Sequence, residues 1–257
     1  MERVTKSRQV GLARALSKLG FCSRSQAAKL IRAGRVRLNG VVRLDPETPL
    51  RLQRDQIEVD RIAVTAQSSI YLMLNKPRGV VTTASDEKGR ETVYSLLGDD
   101  LPWVGPVGRL DKASEGLLLL TNDSEWAARI SDPGSHLDKT YHVQVGVLAG
   151  ETLADKLVQG VFAGGELLRA KHARVLRTGQ KNTWLEIVLD EGKNRQIRRI
   201  FEHLGIEVFR LIRVAIGPLA LGQLDKGKSR ALATAEKIAL NQAVKISRDK
   251  SGILESG

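Results

Sequence analysis

The chain has 257 residues, 42% of them hydrophobic, which is enough to bury a core and to build a small domain beside a larger one. Lys and Arg number 41 against 29 Asp and Glu, a formal net charge of +12, and such a balance points to a polyanionic partner, because a basic surface gains free energy by displacing counterions from phosphates. The single Cys22 excludes an internal disulfide and lacks the companions of a structural zinc site, and no stretch approaches the roughly 20 apolar residues of a bilayer span or the apolar core of a signal peptide.

The charge is concentrated at the start of the chain. Residues 1–66 carry 14 Lys/Arg and 6 Asp/Glu, against 27 and 23 in the remainder. Between Val10 and Arg43 stand Arg14, Lys18, Arg24, Lys29, Arg32, Arg35, Arg37 and Arg43 with no acidic residue among them. Leu12, Ala15, Leu16 and Leu19 recur at helical spacing before Gly20, which predicts one short helix. Ser23, three residues before Gln26, forms a capping box, and Ala27, Leu30 and Ile31 supply the apolar stripe of a second helix that ends at Gly34. Val36-Arg37-Leu38 and Val41-Val42 then flank Asn39-Gly40, the pair suited to the positive φ angles of a type I′ hairpin. A solvated basic hairpin of helices would show the same charge, but 34 residues with charges of one sign favour phosphate binding.

The run Ser23-Arg24-Ser25-Gln26-Ala27-Ala28-Lys29-Leu30-Ile31, followed by Gly34-Arg35-Val36-Arg37-Leu38-Asn39-Gly40, resembles the αL RNA-binding domain of the ribosomal S4 type over residues 9–60. The resemblance implies contacts to structured RNA from Arg14, Arg24, Lys29 and Arg35. Residues 61–69, ending in Gln67-Ser68-Ser69, read as a linker. The segment 70–240 reads as a catalytic domain and 241–257 as a weakly ordered tail. Within the larger part, Tyr71–Leu74, Leu117–Leu120, Tyr141–Val145 and Trp184–Leu189 predict strands, and helices are expected near Ser124–Ser131, Thr152–Gln159 and Arg195–Leu204. The fold class expected is α+β, with a mixed, largely antiparallel sheet and flanking helices after the small N-terminal domain.

No phosphate loop, GxGxxG or metal cluster is visible, and His136, His142, His172 and His203 are isolated, so neither a cofactor nor a metal is expected. The densest polar stretch is Gly108-Arg109-Leu110-Asp111-Lys112-Ala113-Ser114-Glu115-Gly116, running into Leu117–Leu120 and Thr121-Asn122-Asp123. It is a turn-forming loop before a buried strand, a usual setting for catalytic side chains. A carboxylate beside a guanidinium favours the ionised, nucleophilic form, although a turn-capping or surface-paired aspartate would look the same.

The whole string resembles the GRLDxxTxGLLLLTNDG signature of the pseudouridine synthases, in the branch of the ribosomal small-subunit synthase RsuA and large-subunit relatives of the RluB type. Ser114 stands for the usual Thr and Ser124 for the usual Gly. The resemblance implies that Asp111 is the catalytic nucleophile. Leu74-Asn75-Lys76-Pro77-Arg78-Gly79 resembles the LNKPxG segment, with an architectural role. Lys139-Thr140-Tyr141-His142-Val143 resembles KxYxV, which implies that Tyr141 packs on the target uracil. Glu191-Gly192-Lys193-Asn194-Arg195-Gln196-Ile197-Arg198-Arg199 resembles the segment that supplies the basic partner of the nucleophile. That partner is expected at Arg198, with Arg195 as second choice, since a guanidinium can bind a carboxylate bidentately. Arg109, Arg195 and Arg199 are further candidates for phosphate contacts.

These matches span about residues 9–235 and imply isomerisation of a uridine in structured RNA, either ribosomal RNA or a ribosomal assembly intermediate, by a cytoplasmic monomer with no membrane partner. An active-site carboxylate can act by acylating the ribose, by forming a glycal, or by adding to uracil carbon 6. Because a stacked base is unreachable, the target must be unpaired or flipped. The alternatives are a non-catalytic RNA-binding or ribosome-assembly factor that keeps the fold, and an aspartate-dependent hydrolase, for which no second carboxylate is recognisable.

Overall fold

The computed structural model describes residues 9–84, 86–98 and 100–254. The chain separates into two compact units, one of Met1–Tyr71 with 98–105 and 120–125, the other of Leu72–Leu97, Pro106–Leu119 and Trp126–Gly257.

The smaller unit begins with β1 (Val10–Gly11), α1 (Leu12–Lys18) and α2 (Arg24–Arg32). Leu12, Ala15 and Leu16 of α1 and Ala27 and Ile31 of α2 are fully buried, as their spacing requires. Gly20 and Gly34 follow the helices at φ 75° and 71°. The Ser23 box is formed: its hydroxyl accepts from Gln26 N, and the Gln26 side chain accepts from Ser23 N at 3.0 Å. There follow β2 (Val36–Leu38), β3 (Val41–Val42), β4 (Pro49–Leu50), β5 (Ile57–Val59) and β6 (Ile62–Ala63). Asn39 and Gly40 both have positive φ, 52° and 80°, the conformation a type I′ turn demands. The described residues form a four-stranded sheet in the order β3-β2-β5-β6, and β1 pairs with β4.

The segment 61–69 is not a free linker. β6 pairs with β5, Val64 N donates to Ile57 O at 2.9 Å and Gln67 N to Leu19 O at 3.0 Å. Asn122 then holds both Ser68 O (2.9 Å) and Ile70 N (2.7 Å). The polar composition of this stretch conceals backbone hydrogen bonds at Val64, Gln67, Ser68 and Ile70.

The larger unit is built from β7 (Tyr71–Lys76), β8 (Gly105–Val107), β9 (Glu115–Thr121), α3 (Ser124–Ser131), β10 (Lys139–Val145), α4 (Glu151–Gln159), β11 (Val161–Ala163), β12 (Glu166–Leu168), β13 (His172–Thr178), β14 (Thr183–Leu189), α5 (Gln196–His203), β15 (Val208–Ile216), β16 (Leu219–Ala220), β17 (Ser229–Ala231) and α6 (Thr234–Leu254). Among the described residues its sheet runs β13-β14-β10-β15-β9-β7-β17, with β16 beside β15 and β8 beside β9. Neighbouring strands along β13-β14-β10-β15 pair antiparallel, whereas β15 lies parallel to β9. The sheet is therefore mixed and largely antiparallel.

At the parallel contact Gly116 has φ +100°, and a Cβ there would stand 2.2 Å from Arg213 O, so only glycine lets the strand carrying the candidate loop approach β15. Val143 and Val145 of β10, Leu185 and Ile187 of β14, and Leu157, Ile200 and Phe201 from α4 and α5 form the main core. This is one sheet face covered by two helices.

Two features differ from expectation. β15 is a central strand, although Arg210 and Arg213 interrupt its apolar pattern. The tail read from 241 onward continues α6 as far as Leu254; Leu240 and Val244 are buried, and Trp126 Nε1 donates to Asn241 at 2.9 Å, which fixes the helix by packing. Residues 255–257 of that tail lie outside the described residues. No helix among the described residues is long and apolar enough to cross a membrane.

Candidate active site

The loop Leu110–Ser114 connects β8 to β9, and all five of its carbonyls are held. Leu110 O accepts from Thr82 Oγ1 (2.8 Å), Asp111 O from Lys76 Nζ (3.1 Å) and Ser114 N (3.0 Å), Lys112 O from Gly79 N (2.8 Å), Ala113 O from Arg198 Nη2 (2.9 Å), and Ser114 O from Lys76 Nζ (2.9 Å). Two segments far apart in sequence, 76–82 and the start of α5, thus converge on one short loop. Each satisfied carbonyl removes a way for the loop to move, so the Asp111 side chain leaves a backbone fixed from several directions.

Lys76 is the central clamp. It is fully buried and donates to three carbonyls, the third being Pro77 O at 3.0 Å, which matches the three N–H bonds of an ammonium. Burial pushes its pKa down from 10.5 to about 8, against the opposing charges of Asp111 and Glu115. β9 starts beside the loop at Glu115, whose buried carboxylate pairs with Arg210 (3.0 Å) and Lys226 (2.7 Å).

Asp111 opens onto a pocket of about 410 Å³ that Tyr141, Lys139, Arg195, Arg109 and Arg213 also line, a volume in the range of small-ligand sites. Its carboxylate is about one-third exposed and lies 3.7 Å from Arg195 Nη1. Arg195 occupies the N-cap of α5 at φ 49° without a side-chain cap. A non-glycine residue in this left-handed region stores roughly 1–3 kcal/mol of strain. Here the strain places a guanidinium, in place of the usual Ser or Asp cap, beside the candidate nucleophile.

The expected partner Arg198 serves another purpose. Its Nη2 holds the loop at Ala113 O. Burial and the neighbouring Arg195 pull the Arg198 guanidinium below its ordinary pKa, with the charge of Asp111 opposing them. The second choice from sequence is therefore the one in ion-pair range of the carboxylate, and the first braces the backbone that carries it. Arg198 lies within α5 whereas Arg195 is its left-handed N-cap, a backbone difference that an aligned motif does not resolve.

The remaining candidates divide. Arg109 is exposed at the pocket. Arg199 is engaged elsewhere: it bonds Glu166 Oε1 (2.6 Å) and Ala163 O (2.8 Å), tying α5 to the β11–β12 hairpin, so its guanidinium is occupied by the fold. In the smaller unit, Arg14, Arg24, Lys29 and Arg35 are all exposed, and Arg35 is also paired with Asp60 through Nε at 2.8 Å. Lys139 and Arg213, absent from the sequence candidates except as part of a quoted block or not at all, both line the pocket. No clear signal in the sequence marks Arg213, because Arg210 also interrupts the strand that carries it.

This pocket, in which the Asp111 carboxylate is braced from the backbone side and set among cations, suits an enzyme that works on a nucleotide. The larger part of the chain, residues 70–203, matches the RNA pseudouridylate synthase model, and residues 10–57 match the S4 domain. An uncharacterised RNA pseudouridine synthase of Rickettsia prowazekii is 38% identical over 239 residues, 91% of this chain and 97% of that protein. The ribosomal large subunit pseudouridine synthase B of Bacillus subtilis is 37% identical over 231 residues, 88% of this chain and 93% of that protein. A crystal structure of a pseudouridylate synthase superposes with a TM-score of 0.63 at 31% identity, covering 90% of this chain and 99% of the other. The chain belongs to the RNA pseudouridine synthase family.

Proposed function

We propose that this protein isomerises a specific uridine of ribosomal RNA to pseudouridine, with Asp111 as the carboxylate that acts on the ribose. The observation that carries the assignment is the set of five held carbonyls, which fixes Asp111 at the pocket wall within 3.7 Å of Arg195. Preorganisation of this kind supplies much of the barrier reduction in reactions that need no cofactor.

In the reaction the N1–C1′ bond breaks and its electron pair stays on the uracil. The ribose is captured by the Asp111 carboxylate, or gives up its 2′ proton to it as a glycal. The uracil turns, its carbon 5 bonds to C1′ as the ribose is released or reprotonated, the proton on carbon 5 leaves, and N1 takes one up. Atoms and electrons balance without an external reactant. Tyr141 supports the flipped base by stacking, and Arg195 attends the Asp111 carboxylate while Arg198 positions its loop.

Ribosomal RNA as the substrate is supported by the name of the Bacillus subtilis relative. RNA affinity comes from the exposed Arg14, Arg24 and Lys29 on the helix pair of the S4 domain and from Arg109 at the pocket. The protein acts as a monomer in the cytoplasm, where nascent ribosomes are found. The test is a comparison of pseudouridine positions in ribosomal RNA from cells with and without the gene. Loss of modification at one uridine, restored by the wild-type gene, is expected; an unchanged map would assign the protein to another RNA or to a binding role.

A further inference from the structure

Among the described residues, two cations that line the pocket make no ion pair. Arg213 on β15 is 6% exposed; its Nε donates to Leu117 O at 2.7 Å, while its Nη2 is buried without any hydrogen-bond partner. Lys139 on β10 is largely buried, and burial first, then the charge of Arg213, lower its pKa, with Asp138 and Asp190 only partly opposing. Neither cation makes an ion pair among the described residues, and Asp138 is taken by Lys171 at 2.7 Å. Burying a charge without a partner is unfavourable, and setting two like charges side by side adds to that. A fold carries such a cost where a ligand removes it.

The strand register says which part of the ligand arrives there. Tyr141 and Arg213 are direct partners across β10 and β15, so their side chains stand side by side on one sheet face, and Lys139, two residues before Tyr141, shares that face. A base lying against the Tyr141 ring brings its edge to Arg213 and Lys139. Cations that suit a phosphate, Arg109 and Arg195, are the exposed ones.

We propose that Arg213 and Lys139 form a binding site for the carbonyl oxygens of the target uracil and hold the base while it is detached from the ribose. When the N1–C1′ bond breaks, the electron pair left on N1 is shared with O2 and O4, so the base carries a negative charge that it lacked in the substrate. Two buried donors aimed at those oxygens bind the detached base more strongly than the intact nucleoside, which is the condition for lowering the barrier. They also keep the base in the pocket while it turns, since O2 and O4 exchange places as carbon 5 is brought to C1′. The same donors disfavour cytosine, whose amino group would face a cation. This assignment rests on the pocket being the uridine site.

The experiment uses the full-length protein and a short RNA containing the uridine identified by modification mapping. That position carries uridine, 2-thiouridine or 4-thiouridine, and single-turnover rates and RNA affinities are measured for the wild type, Arg213→Met, Arg213→Lys and Lys139→Met. The wild type should slow by at least about tenfold with one of the two sulfur bases, the loss expected when a hydrogen bond from a charged donor is weakened. Arg213→Met and Lys139→Met should bind RNA as the wild type does, react more slowly, and discriminate oxygen from sulfur by less than about threefold. Arg213→Lys should recover part of both rate and discrimination.

Full discrimination in both Met variants would overturn the proposal. So would weakened RNA binding with an unchanged rate from the bound complex, which would make the pair a phosphate contact. If Arg213→Met fails to fold because the Leu117 bond is lost, Lys139→Met carries the same comparison. Absence of product from the wild type and the unmodified RNA would instead overturn the uridine-site reading, and the proposal with it.

Discussion

Replacing Lys76 by Met tests whether the loop that carries Asp111 is held by charge and hydrogen bonds or merely by its own turns. The substitution keeps the volume and removes three donors at 2.9–3.1 Å. Hydrogen bonds from a charged group contribute about 1.5–3 kcal/mol each, so the three together come to roughly 5–9 kcal/mol. Against this stands the cost of burying the ammonium. Its pKa falls from 10.5 to about 8, which corresponds to roughly 3 kcal/mol at ~1.4 kcal/mol per unit. The net destabilisation should be about 2–6 kcal/mol, read from guanidinium denaturation at pH 7.

Activity should fall further than stability explains, because a shift of ~1 Å in a catalytic group costs on the order of 10²-fold in rate. Tritium release from RNA labelled at uracil carbon 5, in single-turnover mode, measures it. The pH dependence follows with a definite sign. As pH rises, folded protein gives up the Lys76 proton before unfolded protein does, so the wild type gains stability relative to Lys76→Met between about pH 8 and 10.5. A variant within ~0.5 kcal/mol of wild type, the range of an unimportant surface change, with the same pH profile and near-normal tritium release, would refute the clamp.

Arg195→Ala should reduce the rate by about 10²–10³-fold, as loss of a preorganised charged group does, while leaving the melting temperature unchanged; Arg198→Ala should lower both, since it removes the bond to Ala113 O. Equal effects of the two on both readouts would contradict the division of roles. Combined replacement of Arg14, Arg24 and Lys29 by Ala should reduce the slope of log affinity against log salt by about 2–3 if each meets a phosphate, and a slope unchanged in a salt titration would remove the helix pair from the RNA interface. Gly116→Ala should prevent folding or destabilise it by more than ~3 kcal/mol, because the new Cβ would sit 2.2 Å from Arg213 O; circular dichroism melting that matches the wild type would show that β9 and β15 can separate at no cost.

The elements legible in the sequence are those whose signals are local. The Ser23 box, the Asn39-Gly40 turn and the stripes of α1 and α2 each depend on residues within four positions, and all are present. The apolar run of β9 and the alternation of β14 were equally plain, and the first is buried at every position. β15 was not legible, because Arg213 enters a pocket and Arg210 meets Glu115 from across the sheet, so the strand lacks the apolar alternation that periodicity detects. The hydrogen bonds of residues 64–70 are illegible for a related reason: their partners lie at Ile57, Leu19 and Asn122.

At the site, the motif string points to Asp111 and Tyr141, and both line one pocket. It could not rank Arg195 against Arg198, since that depends on how the first turn of α5 is aimed. Lys76 read as part of a turn because its three acceptors are backbone atoms, two of them more than 30 residues away.

Asp111→Asn tests the central claim most directly. The substitution keeps the size of the side chain and the backbone bonds of the loop, and it removes the charge proposed to act on the ribose. Tritium release from RNA labelled at uracil carbon 5 should fall to background while filter-binding affinity for the same RNA stays within about threefold of wild type. Release at a near-normal rate would contradict the assignment of the reaction to this carboxylate.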